Sequence, residues 1–151
     1  VNECIQLQPS DESYTYIFTC VQQPHVQSAI HGDWVGLAGF HRLCTLLDDG
    51  GVFLVPVIDG SACGLAFAEE VDGGYALEGH LAFFRKIPPA TLQQAMAMAE
   101  QKCSELGYKE LQVDPNGLSR AARAFIKRCG FDHTSTNYRK ELSHATCRRK
   151  S

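Results

Sequence analysis

Apolar positions recur at helical spacing in the first third of the chain and alternate at strand spacing in the middle. "ECIQLQ" predicts a first strand. "SDESYTYIFTC" then predicts a helix, with Ser10 or Asp11 as its cap and Tyr14, Ile17 and Phe18 on one face. "QQPHVQSAIHGD" breaks at Pro24 and predicts a short second helix. Asp33 is placed to cap a further one, "WVGLAGFHRLCTLL", which stops at "DDGG". From there the period changes to two. Three extended runs, Val52 to Ile58, Ala62 to Glu69 and Tyr75 to Phe84, are separated by "DGS" and "DGG". Asp-Gly between apolar runs favours a tight hairpin because the turn needs positive φ, so the three runs predict an antiparallel meander. Pro56 marks an edge or a bulge in the first of them.

The pattern then returns to helical. Leu92, Ala95, Ala99, Cys103 and Leu106 lie on one face of a helix from about Pro89 to Leu106, and Gly107 ends it. "YKELQV" is a short strand and "DPNG" a turn. "LSRAARAFIKRC" forms an amphipathic helix stopped by Gly130, and "FDHTSTNYRKEL" predicts a last strand. A long helix between two strands is a crossover, and crossovers join parallel strands. The third meander run and the strand at 109–113 are therefore expected side by side and parallel. The resulting class is α/β with a mixed sheet: an antiparallel meander followed by β-α-β-α-β around a central parallel pair. Ligands of such sheets bind where the crossover helix opens, beside the carboxyl ends of the strands. Here that turn carries Pro88 and Pro89. Both fit a first helical turn, but neither has an N–H to offer an anion. The amides of Ala90, Thr91 and Leu92 are then the expected donors, with Arg85 and Lys86 nearby.

Composition narrows the function classes. The chain has 151 residues, 44% of them hydrophobic, which suits one globular domain with a tail at 143–151. No apolar run approaches the ~20 residues that span a bilayer, and no secretory signal pattern opens the chain. A net charge of -3 makes no case for nucleic acid beyond the locally basic "HATCRRKS", which reads as a solvated tail. Seven cysteines, odd in number and without a CxxC, argue against a zinc cage or a disulfide framework and imply a reducing, cytoplasmic setting.

Among candidate chemical groups, Glu78 and His80 stand two apart on a strand, so they share a face at about 7 Å. A carboxylate beside an imidazole can act as base and relay, and equally can be a buried polar pair that fixes the strand. His25, His31, Asp33 and His41 cluster in sequence without the spacing of a helix-face metal pair, and no metal is expected. Arg120, Arg123, Lys127 and Arg128 stripe the last helix, a pattern that by itself reads as a solvated face.

In the order of its elements, and most clearly in "LQVDPNGLSRAARAFIKRCGF", the chain resembles the GNAT superfamily of N-acetyltransferases. More narrowly it is similar to GNAT-like proteins of bacteriophages, through Gln23-Pro24-His25-Val26, Ile30 and Asp33, then Glu78-Gly79-His80, then Gly130-Phe131. The resemblance implies acetyl-CoA in the splay between the parallel strands, at Phe83, Phe84 and Arg85, the first-turn residues Ala90, Thr91 and Leu92, and Ser119. It implies catalysis at Glu78 and His80, and phosphate contacts to the coenzyme's nucleotide from the Arg120, Arg123, Lys127 and Arg128 stripe. The glycines of the family's pyrophosphate loop are missing between Ile87 and Leu92, the family's frequent Tyr falls at Ile126, and its Asn falls near Ser119. Weak or absent acetyl-CoA binding is therefore the expectation. Three readings follow from the resemblance: a phage particle component with weakened transferase chemistry and phage particle proteins as partners, an active acetyltransferase, or an acyl-CoA-binding module without turnover.

Overall fold

The computed structural model describes residues 2–24, 34, 36–116, 118–134 and 136–142. In chain order the elements are β1 (Glu3–Gln6), α1 (Asp11–Val21), α2 (Gly36–Asp48), β2 (Phe53–Ile58), β3 (Ser61–Ala62) and β4 (Gly64–Val71). These are followed by β5 (Ala76–Phe83), α3 (Pro89–Glu105), β6 (Glu110–Val113), α4 (Arg120–Arg128), β7 (Asp132–His133) and β8 (Tyr138–Glu141). They build a mixed sheet in the order β1-β2-β4-β5-β6-β8-β7, with β3 on β2. The β5–β6 pair is parallel and the rest are antiparallel. Among the described residues, no helix is long and apolar enough to cross a membrane.

The α/β class, the meander and the central parallel pair agree with the sequence pattern. Ser10 caps α1, its Oγ accepting the Ser13 N–H at 3.1 Å. The short second helix, most of the 23–33 phage-like segment, His25, His31, Asp33 and the 143–151 tail lie outside the described residues.

Two expectations are corrected. The second meander run is not one strand: β3 pairs with β2, and β4 starts afresh at Gly64. Gly64 has φ +119, and a Cβ there would sit 2.5 Å from the Ala82 carbonyl oxygen, so only glycine makes the break. The Tyr16 hydroxyl braces it, taking the Gly64 N–H at 3.0 Å and donating to the Gly64 carbonyl at 2.7 Å. Pro56 lies where β2 changes partner from β4 to β3, the interruption that its missing N–H requires. The last predicted strand is instead a hairpin of β7 and β8. Thr134 closes its turn, its N–H donating to the Asn137 carbonyl at 2.8 Å.

Helices cover both faces of the sheet. On one, Ile17 and Cys20 of α1 and Leu43 and Leu47 of α2 pack on Phe53, Val55, Leu65 and Phe67. On the other, Cys103 of α3 and Phe125 and Ile126 of α4 pack on Leu54, Leu77, Leu111 and Val113. Strand β2 serves both layers, which is why "FLVPVI" is apolar throughout rather than alternating.

Candidate active site

The parallel pairing of β5 and β6 is short. It runs from Ala76↔Glu110 to Gly79↔Val113 and closes with the Asp114 N–H on the Gly79 carbonyl at 2.9 Å. Strand β5 continues to Phe83, paired from there only with β4, so the two parallel strands part after Gly79. The Tyr75 and Gly79 carbonyls both accept from the β6 side. By the two-residue alternation of a strand, the main chain of Leu81 faces the gap.

Over this parting, between α3 and α4, lies a cleft of about 770 Å³. Its walls are small because Gly79, Ala95, Ala99, Ala121 and Ala122 supply little bulk. Arg85, Lys86 and Arg128 add positive charge to an otherwise apolar lining. Burial pushes the thiols of Cys4 and Cys103, in the core beneath, up to about 11, so both serve as packing groups rather than nucleophiles.

Glu78 and His80 share a face, as strand alternation requires, but it is the face opposite the cleft, on the side of α1 and α2. His80 is buried, 4% exposed, with its ring stacked on Phe67 at 5.0 Å and Trp34 tilted against it at 6.1 Å. Its Nδ1 lies 3.0 Å from Asp114 Oδ2 and its Nε2 2.7 Å from Glu69 Oε2, while Glu78 Oε1 is 4.0 Å from Nε2. Glu78 Oε2 accepts from Asn137 Nδ2 at 2.8 Å, and the same amide donates to Gln112 Oε1 at 2.8 Å. Gln112 Nε2 in turn donates to Glu110 and Asp72. Arg42 lies 4.0 Å from Glu69 Oε1, its guanidinium over the Trp34 ring. Among the described residues, every buried side-chain N or O atom has a hydrogen-bond partner. The result is a closed polar network whose His80 end stands at the parting of the strands.

Solved structures share this fold. The chain is similar to an N-acetyltransferase from Staphylococcus aureus Mu50 over 95% of its length and 99% of that chain, with TM-score 0.67 and 12% identity. It is also similar to a GNAT superfamily phosphinothricin acetyltransferase from Sinorhizobium meliloti in complex with acetyl-CoA, covering 94% of this chain and 89% of that one, with TM-score 0.64 and 14% identity. The chain has the GNAT acetyltransferase fold. A third relative in structure, aminoglycoside 6'-acetyltransferase type Ii, gives TM-score 0.68 at 9% identity, covering 93% of this chain and 97% of that one. No family model and no curated protein matches the chain. At these identities the likeness speaks for the fold, and it lends no support to the phage-specific part of the resemblance.

Within the GNAT fold, the residues expected at the coenzyme site divide. Phe83, Arg85, Leu92 and Ser119 line the cleft. Ser119 also caps α4, its Oγ accepting the Ala122 N–H at 3.1 Å. Phe84 turns to the other layer, against the α1 and α2 core, and the Thr91 side chain is buried at the start of α3. The first-turn amides are fewer than the sequence suggests. Thr91 and Leu92 both donate to the Pro88 carbonyl at 3.0 Å, and Pro89 has no N–H, so Ala90 supplies the one uncommitted main-chain donor of that turn among the described residues. Of the basic stripe, Arg128 reaches the cleft, while Arg123 braces the β6–α4 loop by donating to the Leu118 and Pro115 carbonyls.

Glu69, Asp114, Gln112 and Asn137 were not picked out from the sequence. Glu69 could have been: a hairpin closed over "DGG" in the observed register sets it directly opposite Glu78. As for metals, Glu69, Glu78 and His80 bring ligand atoms within 4.8 Å of one another, but His80 Nε2 is already engaged by Glu69.

Proposed function

We propose that this protein is an acetyl-CoA-dependent N-acetyltransferase that holds the coenzyme's diphosphate by side-chain cations rather than by a loop of backbone amides. The observation that carries the reading is the parting of β5 and β6. There an apolar cleft bearing Arg85, Lys86 and Arg128 on one face of the sheet meets, on the other, half-buried carboxylates around the buried His80 imidazole. The residues fit the coenzyme unevenly. The cleft suits a slender apolar arm and Leu81 offers it main-chain polar groups, but a nest of donors for the diphosphate is missing at Pro88-Pro89.

When bound, acetyl-CoA supplies an acyl thioester, the electrophile for an incoming amine. The chain's own groups do the rest. Arg85 and Lys86 offset phosphate charge, and the Leu81 main chain orients the arm along β5. His80, first residue past the parting, accepts the proton that the amine releases as its nitrogen bonds to the acyl carbon. Glu78, 4.0 Å from Nε2, adds negative charge that favours the amine at that place. The thiolate leaving group takes its proton from solvent, since Ile126 stands where the family often places a tyrosine and, among the described residues, no tyrosine lines the cleft.

The test is a melting curve followed by an amine panel. Acetyl-CoA at 100 times its Kd raises stability by about 2.7 kcal/mol, a plain shift in Tm. Thiol release with primary amines, reduced in Glu78→Gln and His80→Gln, completes the reading. No shift with millimolar acetyl-CoA or CoA overturns it. A shift without transfer to any amine leaves a coenzyme-binding module instead.

A further inference from the structure

We propose that Asp114 is a positioning residue that fixes the proton of His80 on Nδ1, and that Glu69 is the movable partner that takes up the proton His80 receives at Nε2. The proposal rests on the acetyltransferase reading of this site for its kinetic consequences, but not for its tautomer. It begins with a count of hydrogens. A carboxylate only accepts, and a neutral imidazole has one N–H, yet both ring nitrogens lie at hydrogen-bond distance from carboxylate oxygens, 3.0 Å and 2.7 Å. Two protons must therefore lie among Asp114, His80 and Glu69. The arrangement is the proton-loaded state, and the receptive state has one fewer.

Which proton leaves follows from how the two carboxylates are held. Asp114 is anchored three ways. Its N–H donates to the Gly79 carbonyl at 2.9 Å, its Oδ1 accepts the Asn116 N–H at 2.9 Å, and its Oδ2 faces His80. It also sits where β6 leaves β5, so the anchor that sets the imidazole also sets the end of the strand pairing. Glu69 lies on β4 with a side chain 23% exposed and a second partner within reach, Arg42 of α2 at 4.0 Å. The Nδ1 proton is thus the fixed one, and the Nε2 proton is the one that exchanges. In the receptive state Glu69 turns to Arg42 and Nε2 presents its lone pair. The attacking amine loses one proton to Nε2 as its bond to carbon forms. Glu69 then returns, shares that proton and passes it to water, which restores the receptive state. Among the described residues, Glu78 on β5 is the remaining charged group near Nε2, and Asn137 holds it.

Histidine labelled with ¹⁵N reports the tautomer directly, with the His80 signal identified by its loss in His80→Gln. In the wild-type protein the neutral ring is expected to carry its hydrogen on Nδ1. In Asp114→Asn the side-chain amide can donate to Nδ1 while its oxygen keeps the Asn116 contact, so the hydrogen moves to Nε2. Turnover is expected to fall about 100-fold, within the range of general-base effects, with the KM for acetyl-CoA changed by less than about 3-fold. Asp114→Glu keeps an acceptor carboxylate and should recover part of the rate, with the wild-type tautomer. Glu69→Gln should keep the Nδ1 proton and lose rate about 10-fold, with the KM for acetyl-CoA changed by less than about 3-fold. Hydrogen on Nε2 in the neutral wild-type ring overturns the proposal even if no Asp114 variant folds, and so does an Asp114→Asn protein with an unchanged tautomer. If the tautomer switches as expected while no amine is acetylated by any form, the positioning role stands and the acetyltransferase reading falls.

Discussion

Strands β4, β5 and β6 present two faces with opposite solutions to the same packing problem. Leu77, Gly79, Leu81 and Phe83 of β5 point toward α3 and α4, while Ala76, Glu78, His80 and Ala82 point toward α1 and α2. The apolar side is hollow, because alanines on both helices face a glycine on the strand. The polar side is closed, with His80 hydrogen-bonded to Glu69 and Asp114, and Asn137 hydrogen-bonded to Glu78 and Gln112. An apolar hollow leaves its lining without contact partners and gains by being filled. A polar network gains by being complete, and its members are costly to remove singly. On the proposed reading, capture of a ligand falls to one face and movement of a proton to the other, and the two meet where β5 and β6 part.

The largest effect should come from cutting the polar face while leaving the hollow one alone. His80→Phe keeps a ring against Phe67 but removes both nitrogens. Turnover should fall by about 10²- to 10⁴-fold. The Tm shift produced by acetyl-CoA should persist, since no cleft residue has changed. Loss of that shift in a folded His80→Phe protein would mean the two faces are not separable.

The converse change is Ala122→Trp. It fills the cleft from α4, on the side of the sheet away from Glu69, His80 and Asp114. The stabilisation of about 2.7 kcal/mol expected from coenzyme at 100 times its Kd should disappear. The ¹⁵N signature of His80 should stay as in the wild-type protein. A retained Tm shift would place the coenzyme outside this cleft.

How far these two faces could be read in advance depended on whether the cause was local. Alternation along "YALEGHLAFF" is enough to put Glu78 and His80 together, and the "DGG" turn is enough to bring Glu69 opposite. Which layer they would face is a tertiary fact, set by which helices cover which side, and no spacing within the strand carries it. Asp114 was hidden for a different reason. An aspartate opening "DPNG" is already explained by turn chemistry, and its Oδ1 does accept the Asn116 N–H in that way. The second oxygen, the one aimed at His80, had no trace in local sequence. The break at Gly64 was likewise concealed, because an isolated glycine in an extended run reads as a weak spot until the Ala82 carbonyl is found against it.

The smallest effect, and the finest test of the contrast, lies at the opening of α3. Pro88 and Pro89 leave the diphosphate end of the cleft with cations but few amides, and the Pro88 carbonyl occupies the Thr91 and Leu92 donors. Replacing the pair by Pro88→Arg with Pro89→Gly restores N–H groups at positions 88 and 89 and adds a charge near Lys86. A hydrogen bond to a charged phosphate contributes about 1.5–3 kcal/mol. Against it stands the loss of proline's restriction on the unfolded chain, about 0.4–1 kcal/mol per site, which lowers stability but leaves the bound geometry alone. Part of the new bond is also spent on ordering the freed loop, so a net gain of about 1 kcal/mol, roughly 5-fold in Kd for CoA by titration calorimetry, is expected. Because the change touches only the hollow face, turnover at saturating acetyl-CoA should be unchanged. Tighter binding with altered turnover would show the loop and the proton network to be coupled through the parting. An unchanged Kd would place the diphosphate away from α3.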